Sequence, residues 1–338
     1  MDIGLLLIPE PRQVEAMARM VEELGFASLI LPDSQNLAPE VWGLLMLAAK
    51  TTSRIRLGPG VTNSVTRDAA VTASAALSLQ LVSDGRAVLG IGRGDSSVQR
   101  IGRTQDPVGH FETYLAAVQG YLRGEAVDRD GFASRLEWLP RAKVAKVPVE
   151  VAATGPRVIE VAVRHADHVC LAVGADPEYL GEKLVFARRA AEAAGRDPAS
   201  LRYGAYITCV ISDDIAAARE AVRGSATTFG RFSALPGSKL DRLPPVLRRA
   251  AEYIRAHYDM RDHTRTGVAH TAGIPDEFVD WFAIAGPVAT ALPRFQRLAE
   301  IGLDFVHVIA GSTGMPREMG VSTLTSLAQQ VLPVLRAA

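Results

Sequence analysis

The sequence predicts a (β/α)8 TIM barrel with an insertion, a candidate lid, between its seventh and eighth strands. Three observations carry that expectation. Eight short apolar runs each precede a helical segment, which is the unit count of such a barrel. The runs are continuously apolar rather than alternating, as strands buried on both faces must be. The 338 residues suffice for eight units and one insertion within a single domain spanning residues 1–338. An open doubly wound sheet competes at the level of pattern alone.

Residues 3–8 form the first apolar run. Residues 11–24 follow with Val14, Met17, Val21 and Leu24 at helical spacing, and Gly25 ends that helix. The next units place strands at 28–31, 55–61 and 87–91, with helices at 39–51, 68–81 and 112–122. Asp68 is placed to cap its helix. The second half repeats the rhythm with strands at 149–152, 168–173, 201–211 and 304–309. Its helices fall at 157–165, 177–194, 288–301 and 324–335, and Asp176-Pro177 reads as N-cap followed by proline at N1. Two segments break the pattern. Residues 123–147 are rich in turn residues, and residues 230–275 contain a helix at 246–257 followed by YDMRDHTRTGVAH. Insertions after barrel strands fall on the face where active sites are built, so residues 230–275 are the expected substrate lid.

Composition excludes several classes. The 37 basic and 37 acidic residues cancel, and 48% of residues are hydrophobic, which excludes disorder. The absent basic surplus argues against nucleic-acid binding by bulk charge. Only five basic residues are lysine, an arginine bias that reads mainly as compositional. Cys170 and Cys209 lie in apolar runs with no metal or disulfide spacing. The first residues lack a basic region and an apolar stretch of signal-peptide length. No run approaches the ~18 apolar residues of a membrane span. A reducing cytoplasm is the expected location.

Three loops concentrate polar groups at strand ends. LGPGVTNSVTRDAAVTAS (57–74) runs a strand into two glycines around a proline, a pattern suited to unusual backbone geometry and close ligand approach. LGIGRGDSSVQRIGR (89–103) sets Arg93, Asp95, Ser96 and Ser97 after a strand; its GxGxG spacing is a poor dinucleotide fingerprint. VAATGPRVIEVA (151–162) joins a strand to a helix whose first amides are suited to a phosphate.

These stretches, with SDGRAVLGIGRGD and FAIAGPVATALPRFQRLAEIGLDFVHVIAG, resemble the luciferase-like superfamily of flavin and deazaflavin oxidoreductases over nearly the whole chain. Within it, the chain is similar to the deazaflavin-dependent methylenetetrahydromethanopterin reductase branch. The resemblance implies coenzyme F420 at the C-terminal strand ends and a cis peptide at Gly60–Val61 behind the ring. It implies cofactor contacts from Asp33, Gly60, Val61, Thr62, Asn63, Gly92, Arg93, Ser96, Thr154, Gly155 and Pro156. Two departures stand out. Leu6 replaces an acidic residue of the reductase branch, and Ser34 replaces a histidine of related dehydrogenases.

The expected activity is hydride transfer between the deazaflavin and a small organic substrate, the redox chemistry residing in the cofactor. Asp95 is the candidate proton donor from the strand-4 loop. In the insertion, His263 is a second catalytic candidate, with Ser34, Tyr258 and Arg265 as substrate contacts. The histidine spacing 257, 263, 270 fits no common metal motif, so no metal is expected. An FMN-dependent monooxygenase shares the same barrel and is the alternative. A non-catalytic flavin-binding member, with the insertion as a partner surface, is a third reading. The superfamily implies a homodimer, with no nucleic-acid or membrane partner.

Overall fold

The computed structural model describes residues 1–235 and 239–337, so residues 236–238 of the insertion lie outside the described residues. In chain order, β1 (Asp2–Leu6), α1 (Val14–Glu23), β2 (Ser28–Leu31), α2 (Val41–Lys50), β3 (Arg56–Pro59), β4 (Thr62–Asn63) and α3 (Ala69–Val82) come first. β5 (Leu89–Gly92), α4 (Ser96–Gln99), α5 (Val108–Leu122), β6 (Val127–Arg129), β7 (Phe132–Ser134), α6 (Leu139–Ala142), β8 (Val149–Ala153), α7 (Pro156–His165) and β9 (His168–Leu171) follow. The chain continues with α8 (Pro177–Ala193), β10 (Arg202–Ile211), α9 (Ile215–Gly230), α10 (Pro245–His257), α11 (Asp276–Phe282), β11 (Ala283–Gly286), α12 (Val288–Glu300), β12 (Phe305–Ile309), α13 (Arg317–Ser326) and α14 (Leu332–Ala337). No helix among the described residues is long and apolar enough to cross a membrane.

All eight expected strands are present, as β1, β2, β3, β5, β8, β9, β10 and β12. Bounds differ where prolines act. Helix α5 starts at Val108 rather than 112 because Pro107 sits at the N-cap with φ −55°, a geometry its ring supplies. Helix α13 starts at Arg317 rather than 324, directly after Pro316. Strand β3 ends at Pro59, and the cis Gly60–Val61 peptide separates it from β4. The sequence reading missed β11, a four-residue AIAG run with no β-branched residue except Ile284.

The chain forms two compact units. The first comprises Leu6–Val169 and Ala187–Arg202. Here β2 and β3 pair in parallel from Ser28↔Arg56 to Leu31↔Pro59, and β5 pairs in parallel with β4 and with β8. A single bridge, Leu57↔Ala87, links β3 to the approach of β5. That approach is unusually close. A Cβ on Gly58 would lie 1.9 Å from the Val88 carbonyl oxygen, and one on Gly90 would lie 2.2 Å from that of Pro59. Asp68 caps α3 through the Ala70 amide at 2.8 Å, and its helix packs on α5. β6 and β7 form an antiparallel hairpin.

The second unit comprises Met1–Leu5, Cys170–Phe186 and Tyr203–Ala338. The long strand β10 pairs in parallel with β12 over Gly204–Thr208 and with β11 over Thr208–Ile211. The insertion folds here as a helical layer. Leu247, Ala250, Ala251 and Ile254 recur at i, i+3, i+4 and i+7 on α10 and are all buried. They share a core with Ala218, Val222 and Ala226 of α9 and with Phe278, Val279 and Phe282 of α11. The carbonyl carbon of Arg265 would lie 2.4 Å from a Cβ on Gly224, so glycine lets the 264–266 segment rest on α9.

Two glycine substitutions distinguish close packing from mere flexibility. Gly58→Ala forces a methyl into the Val88 carbonyl, and we expect a loss of about 3 kcal/mol or more in chemical denaturation. Gly109→Ala, in α5, meets nothing within 4 Å and should stabilise by about 0.5–1 kcal/mol. Equal effects of the two variants would contradict the packing described.

Candidate functional site

In the first unit, three loops leave the C-terminal ends of β2, β3–β4 and β5, and side chains tie them together. Asp33 and Ser34 follow β2 and are buried. The Gly60 amide donates to the Leu31 carbonyl at 2.8 Å, which holds the β3–β4 junction against the end of β2. Asn63 organises the next turn. Its Oδ1 accepts the Val65 and Thr66 amides at 2.9 Å each, and its Nδ2 donates to Ser97 Oγ at 3.2 Å. Ser34 Oγ and Ser96 Oγ share a hydrogen bond at 3.1 Å, and Gln35 Nε2 donates to the Ser97 carbonyl at 2.5 Å.

Two charged groups unnoticed in the sequence hold this site. Arg67 pairs with Asp33 through its Nη1, which also reaches Thr62 Oγ1 at 3.3 Å. Asp106, buried at the foot of the strand-5 loop, accepts a hydrogen bond from Ser64 and pairs with His110 Nδ1 at 2.7 Å. The Asp106 carbonyl accepts from Arg93 Nε at 2.6 Å, and its amide donates to the Arg93 carbonyl at 3.0 Å. Behind Arg67 stands Tyr114, whose hydroxyl donates to the Arg67 carbonyl at 3.0 Å and bonds Thr72 Oγ1 at 2.6 Å. Burial pushes the Tyr114 phenol up to about 12, against the Thr72 hydrogen bond, so it stays neutral. The sequence signals for these groups were faint: TRD closes the polar run after GPG, and Asp106 precedes a Pro at a helix start.

The expected site residues therefore divide. Asp33 and Thr62 meet through Arg67, Ser34 meets Ser96, and Asn63 meets the neighbouring Ser97. A Cβ on Gly60 would strike Ile30 at 2.6 Å, and one on Gly92 would press Val61 at 3.2 Å. Asp95 is half-buried at the N-cap of α4, where its Oδ1 takes a hydrogen bond from Gln99 at 3.3 Å. Thr154, Gly155 and Pro156 form the start of α7, with Gly155 as N-cap, Pro156 at N1 and no side-chain cap at Gly155. A Cβ on Gly155 would meet nothing within 4 Å. Arg157 is exposed in that first turn. Burial lowers Arg93 from the usual guanidinium range; Asp106 opposes this, and the like charge of Arg157 adds to it.

In the second unit, the candidate residues Tyr258 and His263 meet. The tyrosine hydroxyl and His263 Nδ1 are 2.6 Å apart, and Thr228 Oγ1 lies 3.0 Å from the same hydroxyl. The Arg231 guanidinium lies 4.9 Å from the Tyr258 ring centroid. Arg265 stands apart from this cluster, with an exposed side chain and its amide bonded to the Asp262 carbonyl. A groove of ≈ 690 Å³ in this unit is lined by Glu220, Arg223 and Asp276 among others. Its charges are satisfied internally, Arg223 pairing with Asp276 at 2.6 Å and Glu220 at 2.9 Å.

Parallel βα units with polar groups gathered on strand-end loops define a (β/α)8 enzyme. The solved coenzyme F420-dependent tetrahydromethanopterin reductase of Methanopyrus kandleri has the same fold. Its TM-score is 0.76 over 98% of this chain and 99% of that one, at 24% identity. Residues 4–304 match the family of luciferase-like monooxygenases, and the chain belongs to that family. Among curated relatives, the 5,10-methylenetetrahydromethanopterin reductase of Methanolobus tindarius is 29% identical, covering 92% of this chain and 94% of its own length. The phthiodiolone/phenolphthiodiolone dimycocerosates ketoreductase of Mycobacterium kansasii is 31% identical, covering 87% and 83%.

One buried group sets a pH dependence of stability. His270 is buried against Tyr258, with ring centroids 4.6 Å apart, and neither of its ring nitrogens has a hydrogen-bond partner among the described residues. Burial lowers its pKa, partly opposed by Asp262 and Asp259. As pH falls through the unfolded value of ~6.5, the unfolded chain takes up the proton first, and stability drops until folded His270 is protonated. His270→Phe should remove this contribution, up to about 1.4 kcal/mol per pH unit, from unfolding curves below pH ~6.5. An unchanged acid-side slope would contradict the assignment.

Proposed function

We propose that this oxidoreductase transfers a hydride between coenzyme F420 and a small organic substrate bearing a C=N, C=C or C=O group. The observation that carries the cofactor site is the pairing of two like charges at a helix N-terminus. Arg157 lies in the first turn of α7, where the helix dipole disfavours a cation. Its charge also bears on the half-buried Arg93. Pro156 has no N–H and the Val158 and Ile159 amides bond the Gly155 carbonyl, so a phosphate here is held mainly by the two guanidiniums, and a chain of zero net charge must hold such an anion locally. Reductases and a ketoreductase among the relatives support the reaction class.

The residues present fit a deazaflavin. Thr154, Gly155 and Pro156 with Arg93 would hold the phosphate. Gly60, Val61, Thr62, Asn63 and Gly92 would contact the ring, with Asp33 and Ser96 as polar contacts. When bound, the deazaflavin would supply or accept a hydride. The chain's own residues orient it and exclude water. Ser34, hydrogen-bonded to Ser96, faces the substrate as a neutral hydroxyl. Proton transfer falls to Asp95 or to the Tyr258–His263 pair, whose short hydrogen bond suits a phenol handing on a proton. The protein works as a cytoplasmic homodimer without a nucleic-acid partner.

FMN is the competing cofactor, because the family is described as monooxygenases. Fluorescence titration with each cofactor separates the two: tight F420 binding and weak FMN binding are expected. The opposite order would overturn the deazaflavin reading. Arg157→Ala, which removes an exposed group with no hydrogen bond or ion pair among the described residues, should raise the F420 Kd about 5-fold or more at low ionic strength. The effect should shrink as salt screens it, with the melting temperature unchanged. No loss of binding would place the phosphate elsewhere.

A further inference from the structure

We propose that Arg67 is a positioning residue that aims the carboxylate of Asp33 at the bound cofactor. The inference rests on the deazaflavin reading and assigns a role to a residue outside the set expected to touch the ligand.

The geometry is specific. Asp33 is buried, and its Oδ2 is taken by Arg67 Nη1. Its other oxygen, Oδ1, has no hydrogen-bond partner among the described residues. That oxygen is not sealed from solvent, so a carboxylate anchored through Oδ2 keeps Oδ1 open to a donor from outside the chain. The anchor is held from several sides. Nη1 also reaches Thr62 Oγ1 at 3.3 Å, next to the cis Gly60–Val61 peptide. Nη2 lies 3.5 Å from Glu40 Oε1, and Glu40 is itself fixed as the N-cap of α2 by the Trp42 and Gly43 amides at 3.1 and 2.8 Å. The Arg67 backbone is pinned by the neutral Tyr114 hydroxyl, which Thr72 braces. The guanidinium thus has little freedom, and a fixed planar cation fixes the carboxylate plane opposite it. Arg67 retains only a minor share of its surface, 21% of the side chain, while Asp33 retains 5%. Asp33 is the better shielded partner, and the countercharge is what makes a buried carboxylate tolerable there.

A double-mutant cycle on F420 affinity tests this without substrate. The Kd is measured by fluorescence for wild type, Arg67→Gln, Asp33→Asn and the double variant, with thermal melts confirming the fold. If Arg67 acts through Asp33, Arg67→Gln weakens binding about 10- to 100-fold, as loss of an aimed charge-assisted hydrogen bond does. The double variant then binds no worse than Asp33→Asn alone. Arg67→Lys, which keeps the charge near Asp33 but loses the planar fork, recovers only part of the loss. Wild-type affinity in Arg67→Gln, or losses that multiply in the double variant, would overturn the proposal. If Arg67→Gln fails to fold, the same cycle run with Arg67→Lys decides by the same criterion of additivity. Failure of the wild-type protein to bind F420 would instead defeat the deazaflavin reading, and the cycle repeated with FMN would still test the coupling.

Discussion

Strands β3 and β5 approach so closely that the Val88 and Pro59 carbonyls fill the space where Cβ atoms of residues 58 and 90 would lie. That contact brings the 60–67 and 92–106 loops side by side, and the candidate site in the first unit follows from it. Once the loops meet, their buried polar groups must find partners, because an unsatisfied one costs about 1–3 kcal/mol. They find them in one another. Asn63 closes its own turn and reaches Ser97, Ser34 meets Ser96, and Ser64 meets Asp106. The glycines are therefore a condition of the polar network, and the network holds each loop in one arrangement ahead of any ligand.

Charge is organised on the same principle. The chain has no net field, yet its cations are disposed in two different ways. Arg67 is consumed by Asp33 and Glu40, and Arg223 by Glu220 and Asp276. Arg157 by contrast is exposed at a helix start, close enough to Arg93 to disfavour its charge. Paired cations shape the protein; Arg93, partly offset by Asp106, and the exposed Arg157 are the cations proposed to meet an anion.

The fold was legible because apolar runs and helix caps are local signals. Asp68, Asp176 and Asp214 cap their helices, as local sequence indicates. The Gly60–Val61 cis peptide, implied by family resemblance, is present. The short β11 was hidden because alanine and glycine carry little strand preference, and its pairing with β10 is non-local. The site was half legible. Residues on glycine-rich strand ends announced themselves, while Arg67 and Asp106 did not. Their importance lies in partners 34 and 42 positions away along the chain, a relation that no local pattern encodes. The insertion showed the same limit. Its helix was read correctly, but only the buried face of α10 against α9 and α11 shows it to be a packed layer.

The proposed cofactor grip lies in the strand-end loops of the first unit. Hydrogen–deuterium exchange with and without F420 tests it most directly, since amide protection reports contact without any knowledge of the substrate. F420 is expected to slow exchange in residues 33–36, 60–67, 92–106 and 154–158. Protection centred instead on the groove at Glu220, Arg223 and Asp276, with those four segments unchanged, would contradict it.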